Sequence, residues 1–397
     1  MKLNDSQGVT FPAGFKAAGM FCGIKRSGKK DLALIVSDVP AAGAGVFTTN
    51  VCCAAPVQIS RRHVNAEFIR AVVINSGNAN AATGEQGLRD AIVCTEEVAY
   101  RLSCEPTEIL VASTGIIGSP LKTERIVSSL DALIADLSAE HGADAAEAIL
   151  TTDTFSKQCA CEVALSGGTV RIGGIAKGSG MIMPNMATML GCITTDAAID
   201  KHLLQRLLAR AVAVSFNRIT VDGDTSTNDC VLMMANGNSG VALTEADLYL
   251  YQEALDAVCV SLAKMIIRDG EGATKFVSVR VEGCRTEAEA ETIARTIANS
   301  PLVKTALYGE NPNWGRILAA AGRSGVEYDQ NKVDVLLNGV PAVRGGCSAG
   351  TDKKELATAL QDRDILIRVL LEEGTESAEV WTCDLTHRYI DINVEYS

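Results

Sequence analysis

One threonine in this chain stands where a single residue could serve as both nucleophile and base. The stretch Lys177-Gly-Ser-Gly-Met-Ile-Met-Pro-Asn-Met-Ala-Thr188-Met-Leu190 ends one strand-like run, turns on glycines and a proline, and delivers Ala187-Thr188 to the start of the next run. A threonine hydroxyl attacks acyl carbons poorly unless a base lies beside it. Cutting the Ala187–Thr188 bond would free the α-amine of Thr188 to be that base. Such an amine titrates near roughly 7.7–8.0 in model peptides, so a useful neutral fraction exists at physiological pH. The same spacing also describes an ordinary glycine-rich hairpin loop. A cut there divides the chain into residues 1–187 and 188–397. That is a chain boundary, since a nucleophile cut from a loop stays packed in one shared core.

Acyl chemistry through a covalent intermediate also needs donors for the oxyanion. Ser113-Thr114-Gly115 follows the apolar run Ile109-Leu-Val-Ala112, and a glycine there lets a ligand approach the backbone closely. Read plainly, the trio is a strand-ending turn. Lys177 can meet a carboxylate as a point charge. Glu271, in Asp269-Gly-Glu-Gly-Ala273, is flanked by glycines that expose its carboxylate, which suits a cationic group. Its plainer reading is a helix-to-strand turn after Ile267.

Other chemistries fit less well. Val221-Asp-Gly-Asp-Thr-Ser226 lacks the longer acidic register and closing glutamate of a calcium loop. Lys177-Gly-Ser-Gly180 is no phosphate loop, because the lysine precedes the glycines. Lys25, Arg26, Lys29 and Lys30 read as a basic turn. The four histidines, His63, His141, His202 and His387, lie far apart, which argues against a histidine triad or a catalytic metal site. The 13 cysteines are scattered and odd in number, without Cys-x-x-Cys spacing, and read as reduced, buried and inert.

The elements that must position these groups are mixed. Runs rich in β-branched residues at Arg70–Ile74, Ile109–Ala112, Thr169–Ile175, Met189–Thr194, Phe276–Val281 and Ile365–Leu371 predict strands. Helical spacing covers Gln86–Leu102, Asp200–Val214, Asp247–Ile267 and Thr286–Ala298. The mix means α/β or α+β, with sheets covered by helices. Glu287-Ala-Glu-Ala-Glu291 reads as a solvated helix face. A net charge of −12 and an aromatic fraction of 4% disfavour a nucleic-acid surface. No run of about 18 apolar residues offers a membrane span. The first residues resemble neither a signal nor a transit peptide, so a cytoplasmic protein is expected.

Blocks of residues carry a wider resemblance. They are Gly14-Phe-Lys-Ala-Ala-Gly19, Phe47-Thr-Thr-Asn50, Asn75-Ser-Gly-Asn-Ala-Asn80, Ser113-Thr-Gly-Ile-Ile-Gly118, Thr152-Asp-Thr154, Phe216-Asn217, Val221–Asp229, Arg268–Lys275 and Asn313-Trp-Gly-Arg316. In this order the set resembles the glutamate N-acetyltransferase family, also called ornithine acetyltransferases, of arginine biosynthesis. The Lys177–Leu190 stretch resembles its self-cleavage motif.

The resemblance implies an α/β (α+β) fold of N-terminal-nucleophile-like layered sheets covered by helices. It implies self-cleavage at Ala187–Thr188 and a two-step exchange. N-acetylornithine acetylates Thr188 and ornithine leaves; glutamate then takes the acetyl group. Thr114 and Gly115 become the oxyanion-hole pair, through the threonine side chain and the glycine N–H. Lys177, Glu271 and Asn393 become substrate contacts beside Thr188, and either Thr151 or Thr152 a further one. Family members commonly close with a hydroxyl residue five positions after the equivalent of Asn393. Here Ser397 stands four positions after it, so either it substitutes from a shifted position or that substrate contact is missing.

No cofactor and no metal is implied, and some members accept acetyl-CoA as donor. Residues 1–187 as α chain and 188–397 as β chain would share one folded body and assemble as two α and two β chains. An N-terminal-nucleophile aminopeptidase or amidase would share Thr188 but hydrolyse. The Arg268–Lys275 and Asn313–Arg316 blocks favour the transferase. A small-molecule binding protein whose loop is never cut is the non-catalytic alternative.

Overall fold

The computed structural model of the chain describes residues 2–183 and 189–395. Ala187, Thr188 and Ser397 lie outside the described residues. The chain forms two compact units, one of Met1–Asn217 with Asp224–Ile266, the other of Arg218–Gly223 with Ile267–Ser397.

The first unit holds strands β1 (Leu3–Asn4), β2 (Phe15–Met20), β3 (Leu32–Phe47), β4 (Ile69–Asn78), β5 (Ile109–Ile116), β6 (Lys157–Leu165), β7 (Gly168–Lys177), β8 (Leu190–Thr195) and β9 (Cys230–Ala235). Its helices are α1 (Ala55–His63), α2 (Gly84–Leu102), α3 (Thr123–Ala135), α4 (Gly142–Ala148), α5 (Lys201–Val214) and most of α6 (Leu248–Arg268). The long strand β3 explains the layering. Its first part, Leu32–Val36, pairs with β2 and β4, and its last part, Ala42–Phe47, pairs with β9. Between them the register shifts around Pro40, which cannot donate to a ladder. One strand thus passes from a β2-β3-β4-β5 layer into a β1-β6-β7-β8-β9-β3 layer.

Side-chain alternation then fills three levels. Ala33, Ile35, Val72 and Ile74 face a core shared with Ile175, Leu190, Cys192 and Leu232 of the other layer. Leu32, Leu34, Val36, Ala71 and Val73 face outward onto Ile59, Val98, Ile126 and Leu130 of α1, α2 and α3. On the far side, α5 is capped by Asp200, which accepts the N–H groups of His202 and Leu203. Gln205 of α5 exchanges hydrogen bonds with the Gly45 backbone at 3.0 and 3.1 Å. The result is helices, sheet, sheet, helices.

The second unit has one sheet, ordered β13-β12-β11-β14-β10-β15, from β10 (Phe276–Cys284), β11 (Asp334–Leu337), β12 (Val340–Arg344), β13 (Cys347–Ser348), β14 (Asp364–Leu370) and β15 (Glu376–Cys383). Helices α7 (Glu287–Ala298), α8 (Pro301–Tyr308), α9 (Trp314–Gly322) and α10 (Lys353–Ala359) add apolar residues to its core, and α11 (His387–Glu395) closes the described chain.

Several sequence expectations need correction. The run from Ile109 does not stop at Ala112: parallel pairing with β4 carries β5 through Thr114 and Gly115 to Ile116. Not all cysteines are buried, since Cys52 and Cys347 are exposed, though all 13 are free thiols. The basic turn is an ordered loop. Buried Asp31 accepts the N–H groups of Cys22, Ile24 and Lys25, and the Lys25 ammonium donates to the Lys30 carbonyl at 2.6 Å. The acidic face of α7 is partly engaged, because Arg218 pairs with Glu287 at 2.6 Å and Glu291 at 3.4 Å. Among the described residues no helix is long and apolar enough to cross a membrane.

Candidate active site

Lys177 is the last residue of β7, paired with Leu190 at the start of β8, and its side chain is buried. Its ammonium donates to the Thr151 hydroxyl at 2.8 Å and to the Thr114 hydroxyl at 3.4 Å, and lies 3.7 Å from Asp153. Asp153 is itself enclosed. It accepts from Lys157 at 2.8 Å, from the Gly178 N–H at 2.7 Å and from the Thr151 N–H at 3.0 Å. Burial alone would push the Asp153 carboxyl up, but the Lys177 and Lys157 ammonium groups outweigh it and hold the carboxyl well below the usual carboxylate range. Two lysines therefore face one ionised carboxylate, and a positive charge is left over for an anionic group. Of the two candidate threonines, Thr151 is the one whose hydroxyl meets Lys177.

Thr114 and Gly115 lie on β5 opposite Ser76 and Gly77 of β4. Gly115 has φ +133°, and a Cβ there would come within 2.3 Å of the Gly77 carbonyl carbon. Only glycine lets the two backbones approach so closely. The Thr114 oxygen accepts from Lys177, which polarises its O–H and leaves that proton free to donate elsewhere. Asparagines hold the surrounding backbone. Asn75 bonds to the Ser113 hydroxyl and the Asn78 carbonyl, and Asn228 donates to the carbonyls of Ala79 at 2.6 Å and Ser113 at 2.8 Å.

Asn228 and its neighbour Asp229 stand in the sequence only as the end of the Val221–Asp229 block, with no role assigned to them. Asp229 is buried, and its Oδ1 accepts the N–H of Met189 at 2.7 Å. Met189 is the residue bonded to Thr188. Thr225, on the same segment, donates to the Met183 carbonyl at 3.1 Å. The segment from Thr225 to Asp229 thus binds the chain on both sides of residues 184–188 and also the strand that carries Thr114. The available signal was Thr227-Asn-Asp229 directly before the apolar run Cys230–Ala235.

The second unit carries the other named residues. Glu271 is buried in the connection from α6 to β10 and accepts from Asn393 Nδ2 at 2.8 Å. The Asn393 amide also donates to the Tyr389 carbonyl at 2.9 Å, one turn back in α11. Gly272, with φ +69°, makes room for this helix, since a Cβ would lie 2.7 Å from the Tyr389 nitrogen. Lys177, Thr114 and Thr151 are thus brought together in one unit, and Glu271 with Asn393 in the other. Among the described residues, no group of three or more His, Cys, Asp or Glu side chains could hold a metal ion.

The ArgJ family matches residues 16–397. An arginine biosynthesis bifunctional protein ArgJ of Chlorobaculum tepidum is 51% identical over 394 residues, covering 98% of this chain and 97% of its own length. Its counterpart in Symbiobacterium thermophilum is 50% identical over 394 residues, covering 98% of each. The solved structure of arginine biosynthesis bifunctional protein ArgJ from Bacillus halodurans superposes with a TM-score of 0.50 at 42% identity, covering 51% of this chain and 97% of that one. The match spans both units and takes in the strands that present Lys177, Thr114 and Gly115 as well as the Glu271 connection: the chain belongs to the ArgJ family.

Proposed function

We propose that this protein is an acetyltransferase of arginine biosynthesis that moves an acetyl group from N-acetylornithine to glutamate through an acetyl-Thr188 intermediate. The chain first cuts itself at Ala187–Thr188, giving an α chain of residues 1–187 and a β chain from Thr188. The Thr188 hydroxyl then attacks the acetyl carbon while its own α-amine takes the proton. The Thr114 hydroxyl and the Gly115 N–H receive the developing oxyanion. Lys177, with Thr151 at its side, meets the substrate carboxylate. Glu271 and Asn393 read the cationic end, with Ser397 as a further contact. Ornithine leaves, and the glutamate amine takes the acetyl group by the reverse sequence.

The observation that carries this reading is the Lys177 ammonium. It reaches the hydroxyls of both Thr151 and Thr114 and has charge to spare, so one cation serves substrate binding and oxyanion polarisation together. The relatives' description as bifunctional arginine-biosynthesis proteins supports the same reading. Acetyl-CoA as a second donor is part of the proposal. The proposed assembly is two α and two β chains working in the cytoplasm. The test combines intact mass with an assay of ornithine released from N-acetylornithine in the presence of glutamate. The expected result is two fragments, the second beginning with threonine. Thr188→Ala should stay a single inactive chain. An uncut protein with full transferase activity would overturn the mechanism.

A further inference from the structure

Asn393 rides on α11, a helix that buries nothing of its own. α11 has 9 residues, and none of its side chains is buried. Its apolar residues Ile390 and Val394 are exposed. A helix this short is marginal in water when it stands alone. With no apolar face in the core, it owes its place to a few directed contacts, and the aim of Asn393 depends on them.

These contacts converge on Tyr389. Thr386 caps the helix: its oxygen accepts the Tyr389 N–H at 3.3 Å, and its hydroxyl donates to the Gly272 carbonyl at 2.8 Å. The Tyr389 carbonyl accepts from the same Asn393 amide that reaches Glu271. The Tyr389 phenol donates to the Asp222 carboxylate at 3.1 Å. His387 adds an edge-on ring contact with Tyr308, centroids 6.0 Å apart. Asp222 lies in Arg218–Gly223, the short segment that belongs to the same unit as Glu271 and α11. It is also the first acidic residue of the run that fails as a calcium loop. One tyrosine thus ties the Glu271 connection, Asn393 and Asp222 together.

We infer that Asp222 is a positioning residue for the cationic end of the substrate: it anchors the Tyr389 phenol, and the anchored helix aims Asn393 at that end beside Glu271. This rests on the reading that Glu271 and Asn393 contact the ornithine ammonium. Asp222 then acts through Asn393. Without the anchor, α11 spends part of its time away from Glu271, and apparent affinity falls in proportion to the fraction that stays docked. The worst case is the complete loss of Asn393. Glutamate carries a carboxylate where ornithine carries an ammonium, so its use should not depend on the anchor.

The test uses the purified full-length protein. It measures kcat/KM for N-acetylornithine and for glutamate separately, and amide hydrogen exchange along α11. Tyr389→Phe removes only the hydroxyl. It should melt near the parent temperature, exchange faster along α11, and raise KM for N-acetylornithine about three- to tenfold with kcat unchanged, the size of one net hydrogen bond. Glutamate kcat/KM should stay at the parent value. Asp222→Ala should behave like Tyr389→Phe, whereas Asp222→Asn keeps an acceptor for the phenol and should remain near the parent. In an Asn393→Ala background, Tyr389→Phe should add nothing. Parent-like kinetics in Tyr389→Phe overturn the proposal, as do a fall in kcat at constant KM and an equal loss for glutamate. An additive effect on top of Asn393→Ala overturns it too, because the phenol then acts by another route. If Tyr389→Phe does not fold, the Asp222 pair decides: a loss in Asp222→Ala that Asp222→Asn restores supports the anchor, and equal losses overturn it. Glu271→Gln separates the two levels. If Glu271→Gln raises KM and Tyr389→Phe does not, only the anchor fails. If neither Glu271→Gln nor Asn393→Ala changes the kinetics, the substrate-contact reading fails and the anchor falls with it.

Discussion

Gly115 stands directly against Gly77, with no room for a methyl group between the two backbones: a Cβ on Gly115 would sit 2.3 Å from the Gly77 carbonyl carbon. Gly115→Ala should therefore do two kinds of harm. The φ of +133° costs roughly 1–3 kcal/mol for an alanine, and the clash forces β5 away from β4. Gly118, at φ +82° with open space around it, separates the two. In urea unfolding, Gly118→Ala should lose only the dihedral term and keep activity. Gly115→Ala should lose more stability and nearly all transfer.

Thr114→Ala removes one of the proposed oxyanion donors and the hydroxyl next to Lys177. Losing such a donor costs roughly 2.7–4 kcal/mol, so kcat should drop about a hundred- to a thousandfold with the melting temperature little changed. Self-cleavage has its own tetrahedral intermediate at Ala187. Slow cutting in the same variant would mean that one hole serves both reactions, and normal cutting that it serves the acetyl group alone.

Asp153→Asn should be among the most damaging substitutions for stability, because the fully buried Lys157 and Lys177 would share no carboxylate. Breaking a buried pair in this way costs roughly 3–5 kcal/mol. The pH dependence follows from the lowered pKa in the folded protein. The stabilisation is complete above the unfolded value of about 3.9 and disappears as pH falls through the folded one. Unfolding free energies of parent and variant should differ most at neutral pH and converge on acidification.

Glu271→Gln keeps an oxygen for the Asn393 amide but loses the charge. A hydrogen bond to a charged group contributes roughly 1.5–3 kcal/mol, so KM for N-acetylornithine should rise about ten- to a hundredfold. Cutting and kcat should be unaffected. Unchanged kinetics would return Glu271 to the role of a turn residue between α6 and β10.

The strands around Arg70–Ile74, Ile109–Ala112 and Phe276–Val281 were legible from their β-branched runs, and Asp200 and Thr286 stand at helix starts where their side chains accept backbone N–H groups. Leu32–Val36 was not expected as a strand, because it is apolar at every position and shows no period although its alternate residues serve two cores. Lys177 and Thr114 were legible as residue types in suggestive places. Their meeting was not, since it depends on Thr151 and Asp153 arriving from the loop between α4 and β6. Asn228 and Asp229 were the least visible. Nothing local marks a carboxyl that will bond to a backbone 40 positions earlier in the chain.

The pairing of β7 with β8 joins the strands on either side of the proposed cut along a ladder from Ile172↔Thr195 to Lys177↔Leu190. Before the cut, these strands are neighbours in one molecule and find each other by closing a short loop. Afterwards they belong to two molecules, and the same ladder becomes a subunit contact. Refolding then turns from a first-order process into a second-order one. The mature protein should melt at a temperature that depends on its concentration and recover slowly after dilution from denaturant. A chain kept whole by Thr188→Ala should refold at a rate independent of concentration.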